Sequence, residues 1–243
     1  MRLLSTAMTY TPKNKQISQD SYYIDDSIGL YIISDGIGGY AHSEIASQLI
    51  VKIIPEELKK NRLDEKSNIK SILHKIIRIA AIELNKIGQN KPLLNKISTT
   101  LTLLFIHKEK YWIAQVGDSR AYLFRNNHLK QITEDHSVAF EQYKIGAIKK
   151  EDIQLHPNQK LLTRCFSAAK DFVLSDIFED KIQDNDIFLL CSDGLTKEVK
   201  DIEISEVLTL ESDIFQNSGQ LIEKVKLRNG KDDTTIILLL INI

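Results

Sequence analysis

Several features are scarce in this chain of 243 residues, and each scarcity excludes something. There are two cysteines, Cys165 and Cys191. That is too few for a disulfide scaffold or a thiolate metal cluster, and Cys191, inside an apolar run, reads as a small core residue. The N-terminus, M-R-L-L-S-T-A-M-T-Y, has no apolar stretch long enough for a secretory leader. The longest aliphatic run, Ile236 to Ile241, falls far short of the roughly 20 residues a membrane-spanning helix needs. A cytoplasmic protein with no membrane segment is expected. Excess charge is absent too. Lys and Arg total 32 against 33 Asp and Glu, a net charge of -1, so there is no basic surplus for nucleic acid or an anionic membrane.

What is present is ordinary for a soluble globular protein: 42% hydrophobic and 27% charged residues. A domain of this length buries roughly 75% of its unfolded surface and needs no staples. No low-complexity linker or solenoid repeat interrupts the chain, so one domain over residues 1–243 is expected. Short runs rich in β-branched and aromatic residues predict strands at 29–34, 101–107, 111–116, 121–125, 186–192 and 234–243. Ile69, Ile72, Leu73, Ile76, Ile79, Ala80 and Leu84 recur at helical steps behind a cap at Ser67 or Asn68. A second helix is predicted from about Ser43, stopping or bending near Pro55 and facing inward through Ile45, Leu49 and Ile53. Short helices follow around 202–208 and 221–227, and the polar stretch 140–158 reads as an excursion. Gaps between neighbouring strands are too short for parallel crossovers, so the sheets should be antiparallel and packed with helices.

The chemistry lies where the strands stop. Leu30 to Gly39 reads L-Y-I-I-S-D-G-I-G-G, an apolar run ending in Asp35. The run from Asp186 ends the same way, in Ser192-Asp193-Gly194, and Asp232-Asp233 precedes the final strand. Asp118 lies in V-G-D-S-R between two strands. In a sheet of alternating strands these aspartates can share one rim, where their mutual repulsion calls for a cation. Oxygen donors without a histidine or cysteine cluster suit magnesium, manganese or calcium over zinc. A glycine after the aspartate lets backbone approach an ion. Taken singly, each Asp-Gly is first of all a turn signal. Gly36-Ile-Gly38-Gly39 also suggests a phosphate loop, but lacks the Lys-Ser/Thr of a P-loop and the dinucleotide spacing.

In order, the motifs are S-Q-D-S at 18–21, D-G-I-G-G at 35–39, S-T-T at 98–100, V-G-D-S-R-A-Y at 116–122, T-E-D-H-S at 133–137, L-T-R at 162–164, C-S-D-G-L at 191–195 and D-D-T-T at 232–235. In this register the chain resembles the metal-dependent type 2C protein serine/threonine phosphatases (the PPM family) in their compact bacterial form. The resemblance implies an α+β fold: two antiparallel sheets packed as a central sandwich, flanked by helices, with a variable flap at about 138–165. It implies two divalent cations, manganese or magnesium, with a third site. Asp35 would bridge both cations and the Gly36 carbonyl would bind one. Asp193 and Asp232 would hold the second, Asp118 with Asp193 the third, and Asp20 would orient bound water. The implied reaction is hydrolysis of phosphoserine or phosphothreonine by direct attack of hydroxide held between the cations. The implied partners are phosphorylated proteins and a cognate serine/threonine kinase.

Three positions depart from the family pattern. Lys15 stands five residues before Asp20, where arginine is usual, and keeps the phosphate-binding charge without the planar fork. Tyr40 stands where many bacterial members have histidine, with His42 two residues on, which leaves the general acid open. Asp233 replaces asparagine, either adding charge near the cations or pointing outward. His136 is expected to brace the flap base, and Arg120 and Arg164 to pair with carboxylates. These departures keep an alternative in view, a pseudophosphatase that binds phosphoprotein without turnover.

Overall fold

The computed structural model describes residues 1–37, 42–64, 67–209 and 213–243. Its elements are β1 (Arg2–Tyr10), β2 (Asp20–Asp25), β3 (Leu30–Asp35), α1 (Ser43–Lys59), α2 (Ile69–Asn90), β4 (Ser98–Thr99), β5 (Leu101–His107), β6 (Lys110–Val116), β7 (Arg120–Arg125), β8 (His128–Gln131), α3 (Val138–Lys144), β9 (Phe166–Ser167), β10 (Asp176–Lys181), β11 (Ile187–Cys191), α4 (Asp193–Glu198), α5 (Asp201–Thr209), α6 (Ile214–Leu227) and β12 (Thr234–Asn242). Two five-stranded antiparallel sheets, ordered β1-β12-β11-β7-β8 and β10-β6-β5-β3-β2, form the centre.

The continuous apolar runs follow from strands covered on both faces. Side chains alternate across a strand. In β3, Tyr31 and Ile33 enter the layer between the sheets with Leu104, Phe188, Leu190, Ile237 and Leu239. Leu30 and Ile32, on the other face, meet α1 and α2. In β12, Ile236 and Leu238 turn instead toward α4, α5 and α6. The layers are therefore helix, sheet, sheet, helix, as the resemblance implies. Cys191, Trp112 and Tyr122 are core residues.

The six predicted strands are the six interior strands of the two sheets. The four longer strands that the periodicity did not indicate, β1, β2, β8 and β10, are the four sheet edges. Their faces are partly solvated, as in β2 (D-S-Y-Y-I-D) and β10 (D-I-F-E-D-K), so they carry no sustained apolar run.

The helix α2 begins where the cap was read, with Asn68 Oδ1 accepting from the Ser71 N–H at 3.0 Å. The helix α1 differs from expectation. It continues through Pro55 to Lys59, and its buried stripe is Ala46, Ile50, Ile54 and Leu58. Ile45, Leu49 and Ile53 flank that stripe, half-buried. Both series have a four-residue step, so the sequence alone could not choose between stripes one residue apart. The last helix is also longer than read, starting at Ile214.

Candidate active site

Antiparallel pairing gathers the strand ends. Asp20 opens β2 opposite Asp35, which closes β3. Cys191 closes β11 opposite Arg120 of β7 and Ile236 of β12. Asp193, Asp118 and Asp232 therefore emerge at the same end of the molecule. The two sheets are joined there: Ser192 Oγ donates to Asp20 Oδ2 at 2.7 Å and accepts from the Thr235 N–H at 2.9 Å. The S-T-T segment fixes Asp35 from the other side. Thr99 Oγ1 donates to the Asp35 carbonyl at 2.8 Å, and Thr100 Oγ1 accepts from the Asp35 N–H at 3.0 Å.

The electrostatics show the crowding. Burial, then the charges of Asp20, Asp193, Asp118 and Asp232, push the Asp35 carboxyl well above its ordinary range. Burial raises Asp20 to about 7, with Asp193 and Asp233 adding to it. Burial, then Asp193 and Asp135, raises Asp118 to about 8. Asp193 is raised by burial and by Asp232, against the pull of Lys197. Asp232 goes the other way: burial alone would raise it, but Lys197 and Lys15 outweigh that and hold it well below the carboxylate range.

Lysines interleave these carboxylates. The Lys197 ammonium bridges Asp193 and, at 2.8 Å, Asp232 Oδ2. Lys15 Nζ lies 2.8 Å from Asp232 Oδ1 and 2.9 Å from Asp233 Oδ2. Asp233 does not point outward. It is 2% exposed and accepts the Gln19 N–H at 3.0 Å. Among the described residues no three histidine, cysteine, aspartate or glutamate side chains close into a finished ligand cage. The donor set nevertheless fits a hard cation. Asp20 Oδ1 and Asp193 Oδ1 are buried without a hydrogen-bond partner, and every donor is oxygen.

The glycines have a reason other than access for an ion. A Cβ on Gly36 would lie 2.7 Å from the Ser43 carbonyl oxygen and 2.8 Å from that of Gln19. One on Gly194 would lie 2.1 Å from the Asp233 carbonyl oxygen. Each glycine lets two backbones meet so that the aspartates can come together.

Beside the carboxylates lies a cleft of about 400 Å³, walled by Asp118, Asp193, Lys197 and Asp232 and, from the segment 138–165, by Gln154, Gln159 and Lys160. A larger cavity of about 510 Å³ near Asp26, Gly29 and His107 lies at the other end of the strands, away from these aspartates. The base of the excursion is braced as expected. His136 Nδ1 accepts the Gly117 N–H at 3.1 Å, and its Nε2 lies 3.0 Å from Asp176 Oδ2. Arg120 grips Asp135 with two nitrogens, and Arg164 holds Asp176 at 2.7 Å. His42 is exposed, 3.5 Å from Glu44. Tyr40, Gly38 and Gly39 lie outside the described residues. Sequence reasoning missed Lys197. Its one signal was the four-residue step from Asp193 on a helix.

Comparison with known proteins agrees with this architecture. The family model for protein phosphatase 2C matches residues 9–224. The chain is 33% identical over 214 residues to the serine/threonine phosphatase stp of Listeria monocytogenes, covering 88% of this chain and 84% of that protein. The crystal structure of the serine/threonine phosphatase Stp1 from Staphylococcus aureus superposes with a TM-score of 0.92 at 28% identity, covering 100% of this chain and 96% of that one. The catalytic domain of the serine/threonine protein phosphatase PstP, in complex with two manganese ions, superposes with a TM-score of 0.87 at 26% identity, covering 100% and 99%. Fold and comparisons together define an enzyme of the protein phosphatase class. More narrowly, the chain belongs to the protein phosphatase 2C family.

Proposed function

We propose that the chain hydrolyses phosphoserine and phosphothreonine in proteins with two divalent cations, manganese or magnesium. The observation that carries this is Asp35, half-buried at the end of β3 and facing the charges of Asp20, Asp193, Asp118 and Asp232 at once. Such a group of carboxylates ionises together only beside positive charge. Asp35 and the Gly36 carbonyl would hold one cation; Asp35, Asp193 and Asp232 the other; Asp118 with Asp193 belongs to a third, weaker position. The PstP domain with two manganese ions supports the pair. When bound, the cations neutralise phosphoryl oxygens and lower the pKa of water.

The chain's own residues do the positioning. Asp20, held by Ser192 through Oδ2, keeps Oδ1 unpartnered to accept a proton from water or orient it. Thr99 and Thr100 fix the backbone of Asp35, so its carboxylate needs no rearrangement as charge develops. The flap at about 138–165 borders the cleft and selects phosphoproteins made by a serine/threonine kinase.

The test is hydrolysis of p-nitrophenyl phosphate and a phosphothreonine peptide with and without manganese. Activity that requires manganese and is lost in Asp193→Asn is expected. Turnover unaffected by chelator or by that substitution would overturn the reading. Manganese binding without turnover would favour a phosphoprotein-binding module.

A further inference from the structure

We infer that Lys197, rather than Lys15, supplies the positive charge that positions the substrate phosphate; this rests on the two-cation reading above. The two lysines face the same carboxylate, Asp232, from opposite sides, Lys15 at Oδ1 and Lys197 at Oδ2. What distinguishes them is the second partner of each.

Lys15 has Asp233, which is 2% exposed, also takes the Gln19 N–H, and has no place in the proposed cation set. That partner stays with Lys15 whatever happens to Asp232. The pair ties the loop before β2 to the start of β12, and Lys15 is not among the residues lining the cleft. Its charge is committed to structure.

Lys197 has only Asp193 and Asp232 as ion-pair partners among the described residues, and both belong to the proposed cation set. An ammonium and a divalent cation compete for the same two carboxylates, and the higher charge prevails. A cation bound by Asp193 and Asp232 therefore frees the Lys197 ammonium of both partners. Its stem rises from α4, one turn beyond Asp193, and the side chain lines the same cleft as Gln159 and Lys160. Released there, it is a mobile donor with three N–H bonds beside the reacting phosphate. Lysine binds phosphate in this manner as a point charge, without a planar fork.

Lys197 thus has two assignments. Without cations it holds Asp193 and Asp232 together, and with them it turns to the phosphate. Its removal should tighten cation binding while weakening phosphate binding, a pair of opposed effects that a purely structural lysine would not produce.

The test uses the full chain and two probes, manganese by calorimetry and inorganic phosphate as a product inhibitor of the manganese-loaded enzyme. Lys197→Met should tighten manganese binding about tenfold, since a competing charge at contact distance is gone. It should raise the phosphate inhibition constant about tenfold, the factor carried by one charge-assisted hydrogen bond. The KM for p-nitrophenyl phosphate should rise with it, and Lys197→Arg should restore phosphate inhibition. Lys15→Met should leave the phosphate inhibition constant within about twofold while lowering stability. Should Lys197→Met misfold by circular dichroism, Lys197→Gln takes its place. An unchanged phosphate constant in the Lys197 variant, or a raised one in Lys15→Met, overturns the inference while leaving the cation reading standing. Absence of manganese binding in the unaltered protein removes that reading and this inference with it.

Discussion

Lys15 Nζ lies 2.9 Å from Asp233 Oδ2, so two departures from the family pattern are one ion pair. Replacing one partner leaves the other uncompensated in a protected place. Lys15→Met is expected to cost about 3 kcal/mol, because Asp233 stays buried with one N–H for company. Asp233→Asn should cost less, since the amide can keep the Gln19 N–H and Lys15 keeps Asp232. Urea unfolding of the single and double variants should give a coupling of at least about 1 kcal/mol. Additive effects would mean the pair does not form in solution.

The raised carboxylates make stability depend on pH in the cation-free protein. Asp20 and Asp118 sit at about 7 and about 8 in the folded chain, against an ordinary value of 3.8. A group whose pKa rises on folding stabilises fully below its unfolded pKa and loses that contribution as pH climbs through the folded value. In chelator, resistance to urea should therefore fall from about pH 4 to beyond about pH 8. Manganese should flatten the slope and raise stability with concentration, by about 2.7 kcal/mol at a hundred times its dissociation constant. A cation-free protein whose stability is level across that range would contradict the crowding of these side chains.

Gly194→Ala tests the close backbone approach. The new methyl group would lie 2.1 Å from the Asp233 carbonyl oxygen, with the Thr234 hydroxyl at 2.6 Å. The oxygen belongs to the main chain and cannot swing aside, so a loss of about 3 kcal/mol or more is expected. Calorimetry should also show weakened manganese binding, because the relief must move Asp193 away from Asp232. Wild-type melting behaviour would show that the two segments can part without penalty.

Ser192→Ala removes the donor to Asp20 Oδ2 and the acceptor for the Thr235 N–H. The stability cost should be about 2 kcal/mol, since a buried carboxylate oxygen and a backbone N–H both lose their partners. Turnover should fall more than KM rises, because the serine orients Asp20, which the proposed reading puts beside the reacting atoms, and does not grip the substrate. A rise in KM with turnover intact would remove Asp20 from that role.

The legible parts of the sequence were those where burial left a pattern. Strands β3, β5, β6, β7, β11 and β12 are covered on both faces and read as apolar runs. Met8 in β1 and Tyr22 in β2 are exposed on sheet edges, where polar and apolar residues mix freely. The aspartates were legible because a charge ending an apolar strand is conspicuous. Lys197 was not, since a lysine on a short helix looks solvated until Asp232, 35 residues later, folds back against it. The buried stripe of α1 was misplaced by one residue because Ile45 and Ala46 are both apolar and only the packing of α1 on the sheet and on α2 decides between them. Tyr40, which stands where many bacterial members have histidine, lies outside the described residues.

The neck of the excursion has a consequence for how such chains can diversify. The Val138 N–H donates to the Leu161 carbonyl at 2.9 Å, and the Thr163 N–H to the His136 carbonyl at 2.8 Å. Entry and exit are thus clasped to each other before the chain reaches the carboxylates, and His136 anchors that clasp to β10. Everything beyond it is a graft on a fixed stalk. Doubling its length would cost only about 0.6 kcal/mol in closure entropy. New segments can be spliced in at this point while the cluster of carboxylates stays where it is.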